Sequence, residues 1–455
     1  MRNLSNVYSA YQLIVSVKST LKMKTKIYMI LGALLVAFLA NAQKPWTLQQ
    51  CVDTAVANNR NVKQQALAKK SKEITYDQAR KNLLPYLSGS ANQNWYFGRS
   101  LNANNTYQSV NSSQSSFGLS SGLTLFDGMK MKYNIDMSKA DMYASEADLQ
   151  KIKQDITVNV AAGFLQILLN KELLQIANDQ LQLTRTKIEQ RKSLVTSGKM
   201  AEGEMYELVA QESKEELSRL RAESTLKLSL LDLAQFMELD HFEDLDVVAP
   251  DNLSESDLHF LSAEEVIESA LTHRPEIKGA EYRLKSSEYN VLLAKGSYYP
   301  TLSLGANYGT NYYNISNVTN KSFGQQFKDN MSTSIGLNLQ IPIFNKFATR
   351  NSVRSAQLGV KSSSIAVDNA KLELKKSIQQ AYYNALGAKS RWDAANKSEI
   401  ASREAYRFTN QKYEGGRATL YELYQSKSNL TQVLSEQVQA KYEYFFRVKL
   451  LELMK

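Results

Sequence analysis

The sequence predicts an α+β fold in which very long helices adjoin short strands of alternating polarity. Three observations carry that prediction. The stretch 345–419 runs without a proline and ends at Gly415-Gly416. At 1.5 Å per residue, a helix of that size is roughly 100 Å long, more than a compact domain holds. A second stretch of the same kind covers 129–196 and ends at Ser197-Gly198. Residues 302–312 and 333–343 alternate apolar with small or polar side chains, the period-two mark of a strand with two unlike faces.

The long stretches have two apolar sides. Val353, Val360, Val367 and Leu374 repeat every seven residues, and Leu358, Ile365 and Leu372 form a second series two positions earlier. At 3.5 residues per turn, series offset by two point roughly 150° apart, whereas a single coiled-coil seam keeps its apolar positions on one face. The first stretch carries the same design in Ile167, Leu174, Leu181, Ile188 and Val195, with Leu169, Ile176 and Leu183 two positions on. A ring of helices satisfies such a pattern, each rod flanked left and right. A helix buried in a large bundle satisfies it too.

The chain reads as two large repeats. Phe126 corresponds to Phe344 and Gly198 to Gly416, while Pro85 corresponds to Pro300 and Ala55 to Ala270. The expected organisation is an upstream mis-start over 1–22, a signal peptide over 23–42, a first repeat over 43–239, a connector over 240–260 and a second repeat over 261–455. Each repeat runs half-length helix, two strands, long helix, half-length helix. The signal reading rests on Lys24 and Lys26, the apolar run 27–39 and Ala40-Asn41-Ala42. Within the repeats, 47–83, 203–239, 262–294 and 418–453 are the expected half-length helices. Ser262 and Glu265 have the spacing of a capping box.

Composition narrows the function. The formal charge is +10, but five basic and no acidic residues fall in the first 42, leaving a balance of +5 that gives no case for nucleic acid. The single Cys51 excludes an intramolecular disulfide and takes a small core position. His241, His259 and His273 have no metal-ligand spacing, and no catalytic triad or phosphate-cradling glycine loop is present. No enzyme activity, cofactor or metal is expected.

The strands point to a membrane. They run about ten residues with one apolar face, one uncharged polar face and aromatic ends, which suits an outer-membrane barrel. A half-buried sheet of a soluble protein alternates in the same way. Four strands cannot close a barrel alone, because the smallest known type uses eight, so membrane strands here require several copies of the chain.

In order and in duplication, these features resemble the TolC family of outer-membrane efflux proteins. The likeness covers essentially 43–455. It rests on Pro85 and Pro300 before the strands, on Leu123-Thr124-Leu125-Phe126-Asp127-Gly128 and Leu339-Gln340-Ile341-Pro342-Ile343-Phe344-Asn345 at the strand-to-rod joints, and on the glycine turns. The resemblance implies a homotrimer. Twelve strands, four per chain, form one outer-membrane barrel, continued across the periplasm by an α-helical barrel of long coiled-coil helices. It further implies a passive exit duct for a tripartite efflux pump or type I secretion system. The partners are a periplasmic adaptor and an inner-membrane transporter of the RND or ABC type, with outer-membrane lipid around the barrel. A trimeric structural or adhesive surface protein is the alternative; it predicts a single-seam coiled coil.

The same resemblance assigns roles to residues. The tip turns meet the adaptor: Gly415, Gly416, Arg417 and Thr419 match the family's Gly-x-x-Thr pattern, while Gly198 and Lys199 lead to Ala201 in place of the hydroxyl. One turn on, Glu422 matches an acidic constriction position, Gln425 departs from the second, and Glu204 and Glu207 hold the corresponding places in the first repeat. Tyr413 matches a tyrosine that locks the closed tip, although Ala418 stands where an arginine partner is found. Trp95, Tyr96, Phe97, Tyr308 and Tyr312 are the expected membrane aromatic belt.

Overall fold

The computed structural model describes residues 45–101, 105–197, 201–240, 245–249, 262–316 and 318–455. The expected signal peptide, the upstream start, most of the connector, and Gly198 and Lys199 lie outside these residues. Helices α1 (Leu48–Asn58) and α2 (Arg60–Lys81) lead to strands β1 (Tyr86–Tyr96), β2 (Arg99–Leu101), β3 (Tyr107–Ser109) and β4 (Ser112–Phe126). Helices α3 (Lys130–Thr196), α4 (Glu202–Met237), α5 (Ala263–His273) and α6 (Pro275–Gly296) follow. Then come β5 (Thr301–Ile315), α7 (Phe323–Asp329), β6 (Ser332–Gln340), α8 (Ala348–Glu414) and α9 (Leu420–Met454). The two rods, α3 and α8, are each 67 residues long.

Some expected elements differ. The half-length helices 47–83 and 262–294 are each broken into two. Asn59 leaves the helical region and its side chain accepts the Asn61 N–H, capping α2 afresh. Arg274 is extended because Pro275 follows it, and the proline opens α6 at its first turn. β4 and β5 run to 15 residues rather than about ten. The β2–β3 hairpin lies between β1 and β4, and α7 lies between β5 and β6. The Ser262–Glu265 capping box forms as its spacing requires.

The chain divides into two compact units, 1–54 with 160–254 and 55–159 with 255–455. In the first, Phe164, Ile167 and Leu181 of α3 and Leu208, Leu233 and Met237 of α4 are fully or almost fully buried. The segment 245–249 is pinned to α3 by Lys171, which pairs with Asp246 and donates to the Val247 carbonyl at 2.7 Å. Arg185 of α3 bridges Glu212 and Glu216 of α4 at 2.9 and 3.1 Å.

The second unit holds a four-stranded antiparallel sheet in the order β1-β4-β5-β6. It also holds α8 with helices along it. Val353 and Ala356 pack on Ala294 of α6, Leu374 and Ile378 on Val266, Ala270 and Ile277, and Ala381 and Ala385 on Leu451 of α9. Trp392 stacks on Tyr444, with ring centroids 5.5 Å apart. The α5–α6 pair and α9 therefore meet end to end beside the middle of one rod. Ser269 and Arg274 seal the junction by donating to the carbonyls of Lys455 and Leu453 at 3.0 and 3.2 Å.

The two seven-residue series of α8 have different fates. Val353, Val367 and Leu374 are buried within the chain, and Val360 is half-buried. Leu358, Ile365 and Leu372 remain 65, 61 and 66% exposed. One apolar side of the rod is satisfied by its own chain and the other is open.

Candidate functional site

The turn between α8 and α9 is built from backbone outward. Gly416 adopts φ +70°, a left-handed conformation that glycine takes without strain. Arg417 N–H then reaches the Lys412 carbonyl at 2.8 Å, and Gly416 N–H reaches Tyr413 at 3.0 Å. This is the Schellman pattern that satisfies the last carbonyls of a helix. Thr419 opens α9: its hydroxyl accepts the Glu422 N–H at 3.2 Å, and the Glu422 carboxylate accepts the Thr419 N–H at 2.7 Å. Helix stop and helix start are thus fixed within five residues. Gly415, Gly416, Arg417 and Thr419 stay exposed at the turn, and nothing lies within 4 Å of where a Gly416 Cβ would stand.

Glu422 is consequently a capping residue as well as a candidate pore carboxylate. The Thr419 N–H and hydroxyl hold its carboxyl below the ordinary carboxylate value. The Thr-x-x-Glu spacing was legible in the sequence, as the Ser262–Glu265 box was. Gln425 is exposed one turn on, and Tyr413 is half-buried in the last turn of α8. At the other tip, α4 starts after Ala201, which makes no side-chain cap. Glu204 is half-buried there and Glu207 exposed.

The strand-to-rod joints share an unusual backbone. Gly128 and Met129 before α3, and Lys346 and Phe347 before α8, are consecutive residues with positive φ. Two left-handed residues in succession turn the chain sharply from strand to helix. At the first joint, a Cβ on Gly128 would lie 2.3 Å from the Gly296 carbonyl oxygen, so glycine is required by space as well as by conformation. Asp127 caps α3 by accepting the Met131 N–H at 2.9 Å. Asn345 holds the matching place and donates to Thr349 Oγ1 at 2.6 Å.

In the sheet, register fixes the faces. Phe117 pairs with Ala91 and Thr310, and Leu119 with Gly89 and Tyr308, so these side chains share one face with Trp95 and Tyr312. The opposite face carries Ser88, Ser120, Asn307 and Ser334. Tyr96 alternates onto that polar face and Phe97 lies beyond the strand. The expected aromatic belt is thus reduced on the apolar face to Trp95, Tyr308 and Tyr312. Every residue of β1 and of β6 is exposed. Each strand has one partner among the described residues, which leaves an open edge on each side of the sheet.

Long rods, a four-stranded sheet with one apolar face, and a tight interhelical turn define a class of outer-membrane channel. The family description "Outer membrane efflux protein" matches residues 51–237 and 266–449. The chain belongs to that family, and its place is the outer membrane. It is 22% identical over 307 residues to protein CyaE of Bordetella pertussis, covering 67% of this chain and 63% of that one. It is 23% identical over 397 residues to toxin and drug export protein A of Aggregatibacter actinomycetemcomitans, covering 82% of this chain and 78% of that one. The CmeC outer membrane channel of Campylobacter jejuni superposes with a TM-score of 0.75 at 19% identity, covering 90% of this chain and 85% of that one. The chain spans a little over three-fifths of CyaE, and 62% of the protease secretion protein PrtF of Dickeya chrysanthemi.

Proposed function

We propose that the chain is one protomer of a homotrimeric exit duct and performs no chemistry. Three four-stranded sheets join β1 to β6 into one twelve-stranded barrel, and the rods of two duplicated halves, 43–239 and 261–455, line a tunnel through the periplasm. The observation that carries this reading is the open edge on both sides of an exposed, two-faced sheet. Unpaired backbone groups do not survive in hydrocarbon, so such edges must pair with further copies. The exposed Leu358, Ile365 and Leu372 support the same assembly lower down.

The tip turns serve as the docking surface for a periplasmic adaptor, which couples the duct to an inner-membrane transporter of the RND or ABC type. Gly415, Gly416, Arg417 and Thr419 present exposed backbone and one cation, and Gly198 and Lys199 hold the corresponding sequence positions. Glu422, Glu204 and Glu207 form the constriction, with Gln425 weakening its charge and Tyr413 holding the closed state by packing. Three symmetry-related carboxylates favour cations. A relative named for toxin and drug export points to export as the class of work.

The test is single-channel conductance of detergent-purified protein in a planar bilayer, with its mass measured alongside. A trimer with a small, cation-selective conductance that rises in Tyr413→Ala and loses selectivity in Glu422→Gln is expected. A monomer, or a protein that never inserts, overturns the duct.

A further inference from the structure

The apolar face of the sheet is not bare along its whole length. Residues 318–331, which include α7, fold back over its outer end. Phe327 packs on Phe117, and Phe323 on Tyr312, with centroids 6.1 and 5.2 Å apart. Polar side chains fix the segment to backbone. Gln326, buried, donates to the Tyr313 carbonyl at 2.8 Å and accepts the Tyr313 N–H at 3.0 Å. Asn330 donates to the Asn311 carbonyl at 2.6 Å, and Thr310 to the Phe327 carbonyl at 2.8 Å.

This anchoring leaves a groove of about 430 Å³ between the segment and the strands. Gly89, Ala91, Leu119 and Tyr308 line its floor, with Phe327 and Met331 at its border. No charged side chain lines it. The floor is wide because Gly89 and Ala91 are small where their cross-strand neighbours are Leu119 and Phe117. Its volume falls within the range of small-molecule sites, roughly 300–1,000 Å³. Its depth is also defined. Ser332, the first residue of β6, pairs with Gly309, so the groove sits beside the outer end of that nine-residue strand. A strand of about nine to eleven residues crosses the hydrocarbon, which places the groove in its outer half.

We infer that this groove binds an acyl chain of a lipid in the outer leaflet. The inference rests on the barrel reading above, which turns the apolar face to lipid. Hydrocarbon is the solvent at that depth, and an uncharged, largely apolar cleft on a lipid-contacting face is filled by it without desolvating a charge. The bordering segment supplies the matching charge. Lys321 pairs with Asp329 at 2.8 Å, while Lys328 is exposed beside the groove-bordering Phe327, a cation for a phosphorylated headgroup. The cross-strand pair Tyr308–Leu119 and the anchored segment then act together as a clamp on one lipid, rather than as general lipid contact.

The test uses the trimer reconstituted in phosphatidylethanolamine vesicles doped with a phosphatidylcholine carrying a diazirine on its acyl chain. After irradiation, adducts are mapped by mass spectrometry. Met331 and Phe327 should be labelled more densely than Ile335 and Leu337, which lie on the same face outside the groove. Ala91→Phe fills the floor. It should lower labelling at Met331 about tenfold, the effect of displacing about two buried methylenes, and leave Leu337 unchanged. Ala91→Leu, a smaller filler, should give an intermediate loss, and trimer mass reports folding of both. Equal labelling of Met331 and Leu337, or labelling of Met331 indifferent to both variants, overturns the groove. No labelling at Ile335 and Leu337 either overturns the lipid-facing orientation, and the groove with it.

Discussion

Replacing Leu358, Ile365 and Leu372 together by glutamine separates assembly from folding. Glutamine is a good helix former, so α8 itself is preserved. The three side chains keep 65, 61 and 66% of their exposure in one chain. Full burial of such a side chain is worth about 1.5–3 kcal/mol, so roughly 1–2 kcal/mol apiece is still to be gained when a neighbour covers it. Together they contribute about 4 kcal/mol to each contact between copies, about a thousandfold in association. The companion variant Leu374→Ala sits in the buried series and should destabilise each chain by about 2–5 kcal/mol instead. Mass in detergent across a dilution series reads the first effect, and thermal melting reads the second. The triple variant should dissociate at concentrations where the parent keeps the proposed trimeric mass, with helical content unchanged. A triple variant as firmly trimeric as the parent would refute the assignment of this stripe to contact between copies.

Four further outcomes follow from the joints, the tip and the core. Gly128→Ala drives a Cβ to 2.3 Å from the Gly296 carbonyl and should abolish accumulation of folded trimer. Lys346→Gly, at the matching joint, should raise the melting temperature by relieving about 1 kcal/mol of left-handed strain, less the greater chain entropy of glycine. At the tip, the lowered folded value of Glu422 means that its capping contribution is complete above the ordinary carboxylate range and is lost as pH falls through that lowered value. Amide protection at residues 420–423, taken relative to the intrinsic exchange rate at each pH, should therefore fall on acidification. Glu422→Gln, which keeps the capping geometry, should remove that pH dependence. Burial pushes the Cys51 thiol up to about 11, so a maleimide should label it at neutral pH only after denaturation.

The rods were legible because 67 residues without proline and with two seven-residue series admit few structures. So was the glycine turn at Gly416, where one residue type supplies the needed conformation. The breaks at Asn59 and Arg274 were missed for a physical reason: a helix interrupted by a single residue keeps its apolar periodicity on both sides. Pro275 did signal the second break, since the residue before a proline avoids the helical region. The short helix α7 escaped notice because seven residues give too few turns for a period. What holds α7 in place is Gln326 and Asn330 bonding to the distant Tyr313 and Asn311, a contact no local pattern records. The Glu422 box shows the converse: its spacing is local and plain, and one carboxylate holds a cap where the resemblance implies a pore residue.

The number of copies can be argued from two surfaces that are incomplete for unrelated reasons. The sheet is incomplete in hydrogen bonding, with both outer edges unpaired among the described residues. The rod is incomplete in apolar contact, with one of its two series exposed. Both defects lie in the same compact unit, and each calls for a neighbouring chain. Hydrogen bonding alone is satisfied by two copies, since eight strands close a barrel. An eight-stranded interior, however, is just wide enough for side chains to fill, which leaves no path for a solute. The polar face here is lined mainly by serine, glycine and asparagine, residues suited to water rather than to a packed interior. On the proposed barrel reading, twelve strands from three copies are the smallest closed set that gives this face the solvent its composition requires.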